Sequence, residues 1–526
     1  MILFIHHIYM EVKTMKKIIA AVMSAILIFC FMSTMVYATD VTYEQPFDTG
    51  TLDSERYRIP AILTLNDGSV LAAADMRYGH GSDSPNNIDV VVAKSADGYT
   101  GWEYNVINHF DDYADGVTET ASASFIDSAI VQSKKTDRIF IVTDAWTSEG
   151  GYPTCKKGTG FTTINGEKYL LLTTGSVNDR LDTFKYYVGA FADGFAPVLN
   201  LADGSATGYS VDAEYDLYKD GAPVYQQQVG SDKMVQQNVF YDAADFCAYN
   251  TCYLWMRYSD DNGATWSSPV MISAQVKNDK ESFLGIGPGQ GFVTEYNGNE
   301  RIIFCVYDNS GLVEKVSTIY SDDNGVTWQR GAETSHKIGV GKTSEAQIVS
   351  LPDGTLRMYA RDDSFFVAYA DSTDGGATWS KFQADTNLPS NGNCMVSFIN
   401  VDKKINGKNV ILGSFASNQH ERADGVVVVG LVNEDNSVEW ITKYHVTSDF
   451  FAYSCLTQLA DGNIGYLYED EAAHISYMVL TLSDDGTLSE INGNNHQYVD
   501  NADVGQKILS FLIEILVKFL TMFNLI

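Results

Sequence analysis

Apolar and polar residues alternate over short stretches along most of the chain, and turn residues interrupt them before a helical period can build. Runs such as IDVVVAKS (88–95), TCYLWMRYS (251–259), VSTIYS (316–321) and FFVAYADS (365–372) are rich in β-branched and aromatic residues, which suit a pleated, half-buried surface. Each leads into one pattern, Ser-x-Asp-x-Gly-x-Thr-Trp. It is degenerate in SADGYTGW at 95–102 and well formed in SDDNGATW at 259–266, SDDNGVTW at 321–328 and STDGGATW at 372–379. Asp and Gly supply a turn and Thr-Trp opens a returning strand, so each box predicts a β-hairpin. Taken alone, the boxes are structural and need not touch a ligand.

The boxes begin at 95, 259, 321 and 372, giving intervals of 164, 62 and 51 residues. The first interval is about 100 residues longer than one repeat. An insertion explains the excess. Residues 151–250, with TTINGEKYLLLTTGS and YSVDAEYDLYKDGAPVYQQQ, differ in texture and read as a small, separate inserted β domain. Without it, 40–500 holds about 360 residues, room for six repeats of about 60. Four-stranded blades around an axis suit that period. The expected fold is therefore all-β: a six-bladed β-propeller built from 39–150 and 251–500, with the insertion between.

Both ends depart from this pattern. Residues 15–38, MKKIIAAVMSAILIFCFMSTMVYA, place two lysines before a long apolar run and a small-residue cleavage site. Residues 1–38 thus read as a secretory signal peptide with Met15 as the true start, which predicts a secreted or cell-surface protein. Phe29 before Cys30 argues against a lipid-modified cysteine. Residues 504–526 are nearly all apolar after Lys507, and Ser510, Glu514, Lys518 and Thr521 make one narrow polar stripe, the pattern of an amphipathic helix. Charges at its centre favour membrane association at the interface, or self-association, over a span.

A net charge of −32 argues against nucleic acid and anionic membranes as general partners. An anionic ligand would need a local cationic pocket, which directs attention to the arginines. Beyond Cys30 there are six cysteines, at 155, 247, 252, 305, 394 and 455, with no CxxC pair and no metal-ligand spacing. Buried free thiols are the expectation, although Cys247 and Cys252 are close enough in sequence to pair.

The boxes, together with Tyr57-Arg58-Ile59-Pro60, resemble the bacterial sialidase (neuraminidase) family, over about residues 45–480. The resemblance implies a six-bladed propeller with its active site on the axis, acting on sialylated glycans by a retaining mechanism without metal or cofactor. Sialic acid carries a carboxylate on its anomeric carbon, and a guanidinium fork binds a carboxylate in a bidentate way. The three family arginines match Arg58, Arg361 in the stretch SEAQIVSLPDGTLRMYARDDS, and Arg422 in NQHERADGVVVVG. In DMRYGHGSDSPNNIDVVV, the arginine and the acid/base aspartate six residues later match Arg77, as support, and Asp83; Asp75 and Asp89 are competitors. The nucleophile matches Tyr453 in FFAYSCLTQL, and its partner base matches Glu345 in TSEAQIV. Sialidases use tyrosine where most retaining glycosidases use a carboxylate. An anionic nucleophile would be repelled by the substrate's own carboxylate, whereas a phenol that loses its proton as it attacks avoids this.

The short distance from the cleavage site to YRIP leaves no lectin-like domain ahead of the propeller, so glycan targeting would fall to the insertion or the C-terminal helix. The DSPNNID loop and the insertion also resemble the intramolecular trans-sialidase branch, which releases an anhydro sugar and stacks a bulky aromatic over the site. No tryptophan follows Tyr453, and Trp146 in TDAWTSEGG is the nearest candidate. Four readings therefore compete: a hydrolytic exo-sialidase first, then an intramolecular trans-sialidase, a non-catalytic sialoglycan-binding propeller, and a structural scaffold.

Overall fold

The computed structural model describes residues 42–491 apart from 118–120, 310–312, 337–341 and 472. The expected signal peptide and C-terminal helix lie outside the described residues. Six antiparallel sheets carry the fold, and the described residues form almost no helix beyond the single turn Ser273–Val276. The innermost strands are Arg56–Thr64, Ser124–Gln132, Leu284–Ile286 with Phe292–Tyr296, Thr343–Ser350, Ser397–Ile405 and Ser454–Gln458. Neighbouring blades touch in that order, the third meeting Thr343–Ser350 of the fourth through its second strand, Asn299–Asp308, and the sixth touches the first, which closes a six-bladed propeller. Radial repetition leaves each blade only short, protected edges.

The third blade's innermost strand is interrupted at GIGPGQG (285–291). Gly289–Gln290 leaves it to pair in parallel with Ala129–Ile130 of the second blade. From there the Gln290 side-chain amide donates to Ile62 O at 2.5 Å and to Leu456 O at 2.9 Å. The segment thus crosses the axis and gives the central channel a polar floor.

All four boxes join the third strand of a blade to the fourth. In SDDNGATW, Ser259 Oγ donates to Asp261 at 2.8 Å, and Asp261 accepts from Thr265 N at 2.8 Å and Thr265 Oγ1 at 2.6 Å. The same bonds recur in the boxes at 321 and 372. The motif closes on itself within eight residues, so it is legible wherever it occurs. The fifth and sixth blades lack a box, and the fifth has instead a long outer strand, Val438–Phe450.

The extra residues enter between the second and third strands of the second blade, Ile139–Trp146 and Tyr253–Ser259. Strands from Phe161 to Ala248 form an eight-stranded sheet and a two-stranded ribbon. Leu171, Phe184 and Tyr249 make a small cluster of the insertion's own, but its larger apolar surface is shared with the propeller. Its Leu170, Val188 and Phe240 share one apolar cluster with Leu71 of the first blade and Phe125 and Trp255 of the second. Phe110 stacks on Phe125 at 4.4 Å and on Phe240 at 5.3 Å, and joins the two parts. The inserted residues thus pack much of their apolar surface against the propeller wall, in the cluster they share with the first and second blades.

Candidate active site

Backbone irregularities in the innermost strands aim side chains at the axis. In the first blade the register slips between Arg58 and Ala61, and Ile59 sits at φ 56, a strained conformation for a β-branched residue. Pro60 has no N–H to leave unpaired, and Ile59 N donates to Glu469 Oε1 at 2.9 Å. YRIP is thus a β-bulge that presents Arg58. A second slip, between Ile126 and Ser128, presents Asp127 at φ 59. A third, between Thr343 and Ala346, contains Glu345. Arg77 and Arg361 stand at the ends of second strands, Asp83 and Arg422 in the connections that follow second strands, and Tyr453 just before the sixth blade's first strand. All eight lie on one face, opposite the boxes, and the insertion springs from the same face.

The side chains converge. Tyr453 OH donates a short hydrogen bond to Glu345 Oε1. Arg361 Nη1 donates to Glu345 Oε2 at 3.0 Å and to Tyr453 OH at 3.3 Å, and its Nε donates to Asn393 Oδ1 at 2.9 Å. The guanidinium carbons of Arg58 and Arg422 lie 5.6 and 5.3 Å from the centre of the Tyr453 ring. Three arginines from the first, fourth and fifth blades therefore surround one phenol. Glu469, fully buried, grips Arg58 through Nε at 3.1 Å and Nη2 at 3.2 Å. Asp83 Oδ1 accepts from Arg77 Nη1 at 2.7 Å and Arg58 Nη1 at 3.1 Å, while the Asp83 side chain remains 64% exposed.

Electrostatics sort these groups. Burial pushes the Tyr453 phenol well above its ordinary pKa and Glu345 adds to this, against the pull of Arg361 and Arg422. The phenol is therefore neutral at rest and donates its hydrogen bond to Glu345. Burial also raises Asp83, but Arg77, Arg58 and Arg422 together outweigh it and hold the carboxyl below the usual aspartate range. Both competitors are enclosed by the protein. Asp75 is fully buried between Arg77 and the Asp127 backbone, and Asp89 is buried beside Tyr78 OH.

Trp146 is not placed over the site: it is 1% exposed and stacks on Phe283 in the core. The six cysteines are free thiols, and Cys247 and Cys252 do not pair. Among the described residues, one acidic trio, Glu281, Asp308 and Glu333, is close enough together to chelate. Arg330 bonds Glu281 and Glu333, and Lys315 pairs with Glu333 at 2.7 Å, so cations already answer these charges. Sequence reasoning missed Glu469, Asn393 and Asp127. The available signal was an acid embedded in an apolar strand, as in YLYED and SFIDSAIV, since such a group is seldom buried without a partner.

A family described as a BNR repeat-like domain matches residues 218–467. The chain is 34% identical to the anhydrosialidase of Macrobdella decora, over 83% of this chain and 61% of that protein. It is 31% identical to sialidase B of Streptococcus pneumoniae, over 80% of this chain and 63% of that protein. It thus spans less than two thirds of the length of these curated relatives. Among solved structures, the intramolecular trans-sialidase from Ruminococcus gnavus, in complex with oseltamivir carboxylate, is 34% identical. That match covers 82% of this chain and 96% of that one, with a TM-score of 0.73. The leech intramolecular trans-sialidase complexed with 2,7-anhydro-Neu5Ac is 31% identical over 86% of this chain and 71% of that one, with a TM-score of 0.75.

Proposed function

Because this chain belongs to the bacterial sialidase family, we propose that it is an exo-α-sialidase. It removes terminal sialic acid from glycoproteins, glycolipids or oligosaccharides with retention, through a covalent bond to Tyr453. The observation that carries this assignment is the convergence of Arg58, Arg361 and Arg422 on a tyrosine whose hydroxyl is bonded to Glu345.

The chemistry follows from the placement. The substrate carboxylate takes the three guanidinium groups, displacing Asp83 from Arg58. Tyr453 oxygen attacks the anomeric carbon as its proton passes to Glu345, so no free phenolate has to form in the buried site. The bond to the leaving oxygen breaks, and Asp83 supplies that oxygen with a proton. Asp83 then takes a proton from water as the water oxygen attacks the same carbon, the bond from that carbon to Tyr453 oxygen breaks, and the proton held by Glu345 returns to the phenol oxygen. Two inversions give net retention. Secretion or cell-surface display is part of this proposal, supported by the leader-like segment at 15–38.

A second reading has a specific observation behind it, the similarity to intramolecular trans-sialidases, one of them complexed with 2,7-anhydro-Neu5Ac. In that reaction a hydroxyl of the bound sugar, in place of water, attacks the Tyr453 adduct. Purified protein is incubated with α2-3, α2-6 and α2-8 sialosides, and the released sugar is weighed. Free sialic acid supports hydrolysis, and a product lighter by one water supports the intramolecular route. Asp83→Ala, Glu345→Gln and Tyr453→Phe are each expected to lose at least about 10²-fold in kcat on sialyllactose. Near-normal turnover by Tyr453→Phe would remove the tyrosine from its assigned role. No release from any sialoside, with binding retained, would favour the non-catalytic sialoglycan-binding propeller.

A further inference from the structure

Two walls of the site meet at one buried carboxylate, Asp75. It stands in register opposite Arg58 on the second strand of the first blade and has no exposed surface. Both its oxygens are engaged. Oδ2 accepts from Arg77 Nη2 at 2.7 Å. Oδ1 accepts the backbone N–H of Asp127, on the neighbouring blade, at 3.1 Å. Arg77, fully buried as well, turns Nη1 to Gly81 O and to Asp83 Oδ1, each at 2.7 Å.

The residues held this way need holding. Asp83 lies on a connecting loop with its side chain 64% exposed, where several rotamers would be open to it. Asp127 sits in left-handed backbone at a register slip, where its N–H falls outside the strand ladder and requires another acceptor. A guanidinium plane anchored at both ends cannot turn, whereas one anchored only by a mobile loop follows the loop.

We propose that Asp75 is a positioning residue for proton transfer: by clamping Arg77 it holds Asp83 at the leaving-group oxygen, at a set separation from Asp127. This rests on Asp83 being the acid of the sialidase reaction. Asp75 itself touches neither substrate nor the reacting atoms. A misplaced acid harms only departures that need a proton. An alkoxide leaving group, as in sialyllactose, needs one, whereas a nitrophenolate leaves well without it.

The test uses the full chain and two substrates, 3′-sialyllactose and 4-nitrophenyl α-sialoside. Activity of the unaltered protein on both is the check on the sialidase assignment itself. Asp75→Asn keeps the side-chain volume but cannot accept from both partners. It is expected to lose about 10²-fold in kcat on sialyllactose and about threefold or less on the aryl sialoside, with KM little changed on either. In an Asp83→Asn background, Asp75→Asn should cost nothing further on sialyllactose, because the group it positions is gone. Equal losses on the two substrates, or additive losses in the double variant, overturn the proposal. Should Asp75→Asn fail to fold, Arg77→Lys, which keeps the charge but loses the fork, must reproduce the same leaving-group selectivity, and failure to do so is equally decisive.

Discussion

At the scale of single residues, opposed protonation states organise the site. Tyr453 is kept neutral by burial and Glu345, while Arg77, Arg58 and Arg422 hold the Asp83 carboxyl below the usual aspartate range. Such a separation of neighbouring titratable groups marks acid–base assignments. The sign of its consequence is definite. A carboxyl whose pKa is depressed is ionised at neutral pH, so the fraction able to donate falls as pH rises. For sialyllactose, kcat/KM is therefore expected to decline between about pH 4 and pH 8. Asp83→Asn should abolish that decline, leaving a flatter and lower profile. A profile that rises over this range would contradict the role of Asp83. The same depression stabilises the fold above the ordinary aspartate pKa of 3.8, and that contribution is lost as pH falls through the lower, folded-state value.

At the scale of elements, bulges and boxes divide the labour between the two faces. Bulges at Ile59, Asp127 and Glu345 aim side chains on the site face, whereas the boxes close hairpins on the other. Box glycines should thus matter for stability and not for catalysis. Gly263 and Gly325 both have positive φ, 82 and 83, so alanine at either costs about 1–2 kcal/mol in backbone strain. Their surroundings differ. A methyl on Gly263 would first meet Leu71 at 3.5 Å, but one on Gly325 would lie under 3.0 Å from Phe140 Cε1, adding about 1–3 kcal/mol of overpacking. Thermal melts should accordingly show Gly325→Ala lowering Tm clearly more than Gly263→Ala, with kcat/KM unchanged in both. Equal shifts would mean that Phe140 yields without cost.

At the scale of the whole molecule, ring closure and the shared wall of the insertion decide what can be removed. Arg58 and Glu469 are 411 positions apart and meet only because the sixth blade docks on the first. The insertion covers Phe125 and Trp255 through Phe240. Replacing 161–248 by a short Gly/Ser linker would expose these aromatics. We expect aggregation or loss of a cooperative melt, measured by circular dichroism and size-exclusion chromatography. A soluble, cooperatively melting propeller would show that the insertion is dispensable to the core.

The sequence by itself determined what is encoded within a few neighbouring residues. The boxes, the strand pattern and the blade period are legible because their hydrogen bonds close within one hairpin. The motif-borne groups Arg58, Asp83, Glu345, Arg361, Arg422 and Tyr453 are legible because each sits in a recognisable local run. Only the tertiary structure decided which groups support them. Glu469 under Arg58, Asn393 beside Arg361 and Asp127 against Asp75 acquire their partners when separate blades close around an axis. A contact between distant segments leaves no local pattern, since its energy is gained only on closure.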